Sequence, residues 1–127
     1  MKIYGIGIDI VNIYRFNRSL KKKGLIKRLF NKNEILKCNN LANKGNCYSK
    51  RFAAKEAFAK ATGLGISKGI NFNEIVVLNA NSGKPNIILI GKTKKIINNF
   101  FKKKKIDINL SLSDDEPFAI ASVIISL

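Results

Sequence analysis

The sequence predicts an α+β protein in which helices pack on a small antiparallel sheet. Three observations lead there. The chain opens on a strand-like run, "IYGIGIDIV" (3–11), and later holds two strand–turn–strand runs, 70–91 and 106–127. Helical spacing marks the segments between them, 12–40, 50–63 and 92–105. Strands joined by tight turns pair antiparallel, and the order β, helices, hairpin, helix, hairpin belongs to the α+β class.

The first strand alternates. Tyr4, Ile6, Ile8 and Ile10 form one apolar face, and Ile3, Gly5, Gly7, Asp9 and Val11 form the other. Aspartate is depleted in strands, so Asp9 either caps a turn where the strand ends or is there for chemistry. Glycine inside a strand often marks the close approach of a ligand or of another backbone. An open face ending in a carboxylate suits a site.

From Asn12 the chain reads as a helix, a break at Gly24, a second helix and a third short one, with Asn12 as N-cap. Leu25, Ile26, Leu29 and Phe30 keep the helical spacing. Arg15, Arg18, Lys21, Lys22, Lys23, Lys27 and Arg28 make this region strongly basic, as either a solvated face or a docking surface for an acidic partner. The polar stretch 40–49 reads as a loop. "KRFAAKEAFAKATGLG" (50–65) is the best helix in the chain, alanine-rich and closed by Gly63 at C′. The segment 63–69, "GLGISKG", lacks the spacing of a nucleotide loop and follows a helix, so it reads as a helix C-cap. The two hairpins turn at Asn81–Pro85 and Asp114–Pro117, and a basic amphipathic helix lies between them.

A chain of 127 residues, 46% apolar, is read as one domain, 1–127, with a real core. No apolar run approaches the roughly 20 residues of a membrane span. Lys2 is followed by a glycine-broken strand instead of a long apolar stretch, so no leader pattern is visible and the expected location is cytoplasmic. Cys38 and Cys47 offer no disulfide framework and no zinc spacing. With no histidine in the chain, a metal site must use oxygen ligands, which favours magnesium, and proton transfer falls to Asp, Glu, Lys, Tyr or water. A formal charge of +16 favours an acidic or phosphorylated partner. A nucleic-acid-binding module is the rival reading, but no RNP-like aromatic motif, helix-turn-helix pattern or zinc finger accompanies the charge.

On the long helix, Phe52, Glu56 and Lys60 fall along one strip beside Ala53, Ala57 and Ala61. An exposed Glu56–Lys60 pair at i, i+4 stabilises by only about 0.3–0.5 kcal/mol. The surrounding alanines and phenylalanines predict burial instead, and a buried glutamate needs a partner or a metal. Asp9 and Glu56 are then two carboxylates in apolar elements that strand-on-helix packing can bring together. Mg²⁺ between them, completed by water and substrate phosphates, would relieve their repulsion. Lys60 would face a phosphate.

The blocks "GIGIDIVNIYRF" (5–16), "KRFAAKEAFAKATGLGI" (50–66), "FNEIVVLNANSGKP" (72–85) and "LSLSDDEPFAIASVII" (110–125) resemble, in order and spacing, the holo-[acyl-carrier-protein] synthases. These are small phosphopantetheinyl transferases of bacterial fatty-acid synthesis. The resemblance implies the 4′-phosphopantetheinyl transferase fold and a homotrimer with active sites between neighbouring subunits. The implied reaction is transfer of 4′-phosphopantetheine from coenzyme A to a serine of acyl carrier protein, releasing 3′,5′-ADP. Asp9 and Glu56 match the pair that binds Mg²⁺, and Lys60 matches a lysine near the reacting phosphate. Arg51 matches a basic residue near coenzyme A, and Gly83, Lys84 and Pro85 match a turn lining that site. Arg15 and the basic residues after it, Lys22 and Arg28 among them, match the surface that meets the acidic carrier protein. One position departs from the pattern: many members have histidine where this chain has Asp114. An acid there would repel phosphates unless it faces a cation or solvent.

Overall fold

The computed structural model describes residues 1–65 and 68–127 of the chain. In order, it contains β1 (Ile3–Asn12), α1 (Ile13–Ser19), α2 (Leu25–Leu29), α3 (Lys32–Asn39) and α4 (Lys44–Thr62). A 3-10 turn (Phe72–Glu74) leads into β2 (Ile75–Asn79) and β3 (Pro85–Leu89). Then come α5 (Gly91–Phe100), β4 (Asp107–Asp115) and β5 (Phe118–Ser126). The strands form two antiparallel sheets, one of three strands in the order β1-β5-β4 and one of β2 and β3. The expected α+β class, with helices on small antiparallel sheets, is what is observed.

Helix α4 is the spine. Twelve of its nineteen residues are buried, so it lies in the core instead of on the surface. Its alanines let it settle on the larger sheet, where Ala53, Ala57, Ala61 and Phe58 meet Val11, Ala121, Val123 and Ile125. The two strand glycines set the distance. A Cβ at Gly5 would overlap the carbonyl oxygen of Ala61, and one at Gly7 that of Ala57. The glycine face of β1 is therefore closed by a helix backbone, and only its Asp9 end opens to a cleft. The opposite face is exposed: Ile6, Ile8 and Ile10 are 60–63% accessible.

Asn12 caps α1 by accepting from the Arg15 backbone N–H, and Gly24 turns left-handed (φ 81°) to start α2, as expected. Lys22 lies in the turn between these helices. Gly63 ends α4 in the left-handed region (φ 75°), as the C-cap reading expects. Of the 63–69 segment, Ile66 and Ser67 lie outside the described residues.

Three expectations are corrected. Helix α4 starts at Lys44, inside the stretch read as a loop. Asn43 caps it through the Asn46 N–H, and Asn17 of α1 donates to the Gly45 carbonyl, so tertiary contact overrides a polar, glycine-containing sequence. Both hairpin turns are shorter than expected: Pro85 begins β3 and pairs with Asn79, and Asp114 and Asp115 still belong to β4, paired with Ala119 and Phe118. Cys38 and Cys47 form a disulfide that ties the end of α3 to the start of α4. The helix–turn–helix geometry there brings two cysteines nine residues apart into contact, which their spacing alone did not reveal.

Candidate active site

The close fit of β1 on α4 delivers Asp9 to the middle of that helix. Asp9, Glu56 and Lys60 line one cleft of about 480 Å³ together with Asn12, Arg15, Phe16, Ser19 and Phe52. Lys60 Nζ donates to Asp9 Oδ1 at 3.0 Å and to the Ile8 carbonyl at 3.0 Å. Glu56 is half-buried, not fully buried as the alanines around it suggested. Burial pushes the Glu56 carboxyl up, the Asp9 charge pushes it further, and Lys60 pulls it back. The two carboxylates thus feel each other, and a cation already rests on one of them.

Among the described residues, no group of three His, Cys, Asp or Glu gathers to hold a metal. A divalent ion at this cleft would have two carboxylates, Asp9 and Glu56, as its protein charge. That suits Mg²⁺, which keeps several waters and takes substrate phosphate oxygens, and the donor set is hard oxygen throughout.

An apolar groove of about 440 Å³ adjoins the cleft. It shares Phe16, Ser19, Phe52 and Glu56 and adds Leu25, Leu29, Phe72 and Arg28. Arg15 and Arg28 therefore border the same opening, whereas Lys22 is not among the residues lining either space.

The remaining candidates lie elsewhere. Arg51 and Gly83 line a separate cleft of about 690 Å³ with Lys50, Asn46, Cys47 and Asn79. Arg51 and Glu56 are five residues apart on α4, about 140° around the helix, so one chain cannot point both at one spot. Arg51 is buried. Its Nη2 donates to Asn79 Oδ1 at 3.0 Å and its Nη1 to Cys47 Sγ at 3.1 Å, while Nε has no hydrogen-bond partner among the described residues. Burial pulls the guanidinium pKa down and Glu34 opposes that. Asn79 Nδ2 donates to the Gly83 carbonyl at 3.0 Å, so Arg51, Asn79 and the turn form one chain of contacts. Gly83 is left-handed (φ 89°), the conformation this turn requires. Lys84 is exposed on the same turn, and its carbonyl accepts from the Ala80 N–H.

Asp114 faces a cation. Its carboxylate accepts from Asn46 Nδ2 at 2.9 Å and from Lys50 Nζ at 3.2 Å, which hold it below the usual carboxylate range. Asn79 and Asn46 were not singled out from the sequence, because asparagines in a lysine- and asparagine-rich chain carry little signal by type alone.

Residues 5–121 match the family model described as the 4′-phosphopantetheinyl transferase superfamily. The holo-[acyl-carrier-protein] synthase of Pelagibacter ubique is 46% identical over 125 residues, covering 98% of each chain. The crystal structure of the Neisseria meningitidis holo-[acyl-carrier-protein] synthase superposes with a TM-score of 0.84 at 35% identity, covering 98% of this chain and 99% of that one. The Helicobacter pylori enzyme of the same name, solved in complex with coenzyme A, superposes with a TM-score of 0.80 at 34% identity, covering 95% of this chain and 99% of that one.

Proposed function

This chain belongs to the holo-[acyl-carrier-protein] synthases of the 4′-phosphopantetheinyl transferase superfamily, and on that premise we propose a Mg²⁺-dependent reaction at the Asp9–Glu56 cleft. As a single domain it moves 4′-phosphopantetheine from coenzyme A to a serine of apo acyl carrier protein, a cytoplasmic step of fatty-acid biosynthesis. The observation that carries this reading is the convergence of Asp9, Glu56 and Lys60 in one cleft beside Arg15.

The serine Oγ attacks the phosphorus that bears pantetheine. The bond from that phosphorus to the bridging oxygen breaks, and 3′,5′-ADP leaves with the electron pair. Mg²⁺ held by Asp9 and Glu56 would offset charge on the diphosphate oxygens. The chain's own groups do the rest. Glu56, directly or through a water, is the group that takes the serine proton, since the chain has no histidine to do so. Lys60 is the second cation, near enough to Asp9 to share the phosphate's charge.

Arg51, Asn79, Gly83 and Lys84, with Pro85 fixing the end of the turn, take coenzyme A. The cleft lined by Arg51, Asn79 and Gly83 and the Glu56 cleft have no lining residue in common among the described residues, which supports a site built from two subunits. The exposed Ile6, Ile8 and Ile10 support the same conclusion. They stand on the open face of the larger sheet next to Ile120 and Ile124, and a face of this kind is expected to be covered. A homotrimer, with each interface joining unlike surfaces around a closed ring, covers it three times over. Arg15 and Arg28 at the mouth, with Lys22 on the turn between α1 and α2, attract the acidic carrier, so the rate falls as salt rises.

The test is incubation with coenzyme A, apo carrier protein and Mg²⁺. Release of 3′,5′-ADP with a matching mass gain on the carrier serine supports the reading, and neither product appearing overturns it. Mixing Glu56→Ala and Arg51→Ala subunits addresses the shared site. Each variant alone is inactive and the mixture regains activity, whereas an inactive mixture of well-folded subunits excludes it.

A further inference from the structure

Lys55 and Glu34 are both fully buried and form an ion pair at 2.7 Å, yet neither lines the catalytic cleft or the coenzyme cleft. All three ammonium protons are used. Lys55 Nζ donates to Glu34 Oε1, to the Phe72 carbonyl at 2.8 Å and to the Ile75 carbonyl at 2.6 Å. The carboxylate is equally occupied. Glu34 Oε1 also accepts the Asn31 N–H at 2.9 Å as part of the α3 capping box, and Oε2 accepts the Val77 N–H at 3.0 Å. Three elements, α3, α4 and β2, meet at this one pair.

Its position on β2 is specific. Among the described residues, strand β2 has β3 on one side only, so its other edge needs partners for its backbone groups. The Ile75 carbonyl and the Val77 N–H lie on that free edge, and the ion pair satisfies both as a neighbouring strand would. Buried ion pairs are seldom retained for stability, since well-packed apolar groups do as well. What this pair offers is register. It fixes β2 along α4 to within one backbone hydrogen bond.

The consequence falls on the coenzyme cleft. Arg51 lies one helical turn before Lys55 on α4, and Asn79 lies two residues after Val77 on β2. The Arg51–Asn79 contact and the Asn79–Gly83 contact are thus the next rung of the same ladder. We propose that the buried Glu34–Lys55 pair is a positioning device that holds the β2–β3 hairpin against α4 so that Asn79 and Gly83 present the coenzyme side of the site to Arg51. The proposal rests on the reading of that cleft as the coenzyme A site.

Three variants of the full chain test it: Glu34→Gln, which keeps the shape and removes the charge, Lys55→Met, and Lys55→Arg. Two readouts separate the proposal from its premise. Hydrogen exchange at the amides of residues 79–84, measured without ligand, should speed up about tenfold in Glu34→Gln, which removes one charge-assisted hydrogen bond, and more in Lys55→Met, which removes all three bonds of the ammonium, while α4 amides keep their protection. Calorimetric titration with coenzyme A should weaken by about the same factor, with KM for carrier protein unchanged to within about twofold. Lys55→Arg, which keeps the charge, should recover part of both effects. Should Lys55→Met fail to fold, Glu34→Gln and Lys55→Arg carry the comparison. Unchanged hairpin exchange in folded Glu34→Gln overturns the positioning role, and so does a parallel loss of affinity for coenzyme A and for carrier. If hairpin exchange quickens but the wild-type chain itself binds no coenzyme A, the coenzyme reading falls and the hairpin lock stands.

Discussion

The Lys60 ammonium sits 3.0 Å from Asp9 Oδ1, so the strand acid already holds a cation supplied by the helix. The contact joins the two elements that the strand glycines bring together, and it is half exposed on the lysine side, so its contribution to stability is small. Its meaning is electrostatic: a site that draws a lysine to Asp9 and raises the pKa of Glu56 is one that favours positive charge. Lys60→Ala should leave the fold intact and lower kcat about a hundredfold, the usual effect of removing one charge-stabilising donor. Steady-state rates of 3′,5′-ADP release check this, and a wild-type rate would reduce Lys60 to a counter-ion of Asp9.

Reversing charge at Arg15 and Lys22 together should raise the apparent KM for carrier protein about tenfold and flatten the salt dependence of the rate, with little change in KM for coenzyme A. Arg15 borders the catalytic cleft, and Lys22 lies on the turn that follows the same helix. Equal changes in both KM values would remove the docking surface from the account.

The Cys38–Cys47 disulfide closes a short loop. Protein purified in air and denatured without reductant should show no free thiol. Reduction should then lower the unfolding free energy by about 2–3 kcal/mol on the chain-entropy view. Two reactive thiols in the denatured, unreduced protein would contradict the pairing. Disulfides are uncommon in reducing compartments, so the same titration on rapidly quenched cells would report which form is present there.

Glu74 caps α5 from a distance. Its carboxylate accepts from the Lys92 and Thr93 N–H groups, both at 3.1 Å, and from the Thr93 hydroxyl at 2.8 Å. A Cβ on Gly91 would overlap it, so the glycine makes room for the cap. Partial burial works against the charge, but these bonds outweigh it and hold Glu74 below its ordinary value of 4.5. The unfolded chain therefore binds a proton here at a higher pH than the folded one. The stabilisation is present above 4.5 and is lost as pH falls through the lowered value. Glu74→Gln should be less stable at neutral pH by about 1 kcal/mol and should narrow that gap to the wild type in acid. A gap that stays constant from pH 7 to 3 would show that the carboxylate charge is not what caps the helix.

Much of the frame was legible because local signals agreed with tertiary need. Asn12, Gly24 and Gly63 cap or break helices as their types dictate, and the alanines of α4 announced its burial. The start of α4 was hidden, because Asn43 and Gly45 are loop-type residues, and only the Asn43 cap and the contact from Asn17 draw Lys44 and Gly45 into the helix. The two strand glycines signalled a close approach without saying whether a ligand or a backbone made it, and it is the α4 backbone that does so. The Glu34–Lys55 pair left only half a trace: Asn31 and Glu34 have capping-box spacing, but nothing in the sequence links Glu34 to a lysine 21 residues later. The two-cleft arrangement was not legible either, since it depends on the angle between Arg51 and Glu56 around a helix whose two sides meet different elements.

The central claim is that Asp9 and Glu56 together support metal-dependent transfer, and the most direct measurement is 3′,5′-ADP release by Asp9→Ala and Glu56→Ala across a Mg²⁺ titration. Wild-type activity should vanish when the metal is chelated and return when it is restored. Each variant should keep the wild-type circular dichroism and melting profile and lose at least about a thousandfold in rate at every Mg²⁺ concentration. A folded variant at either position that turns over at the wild-type rate would contradict the account.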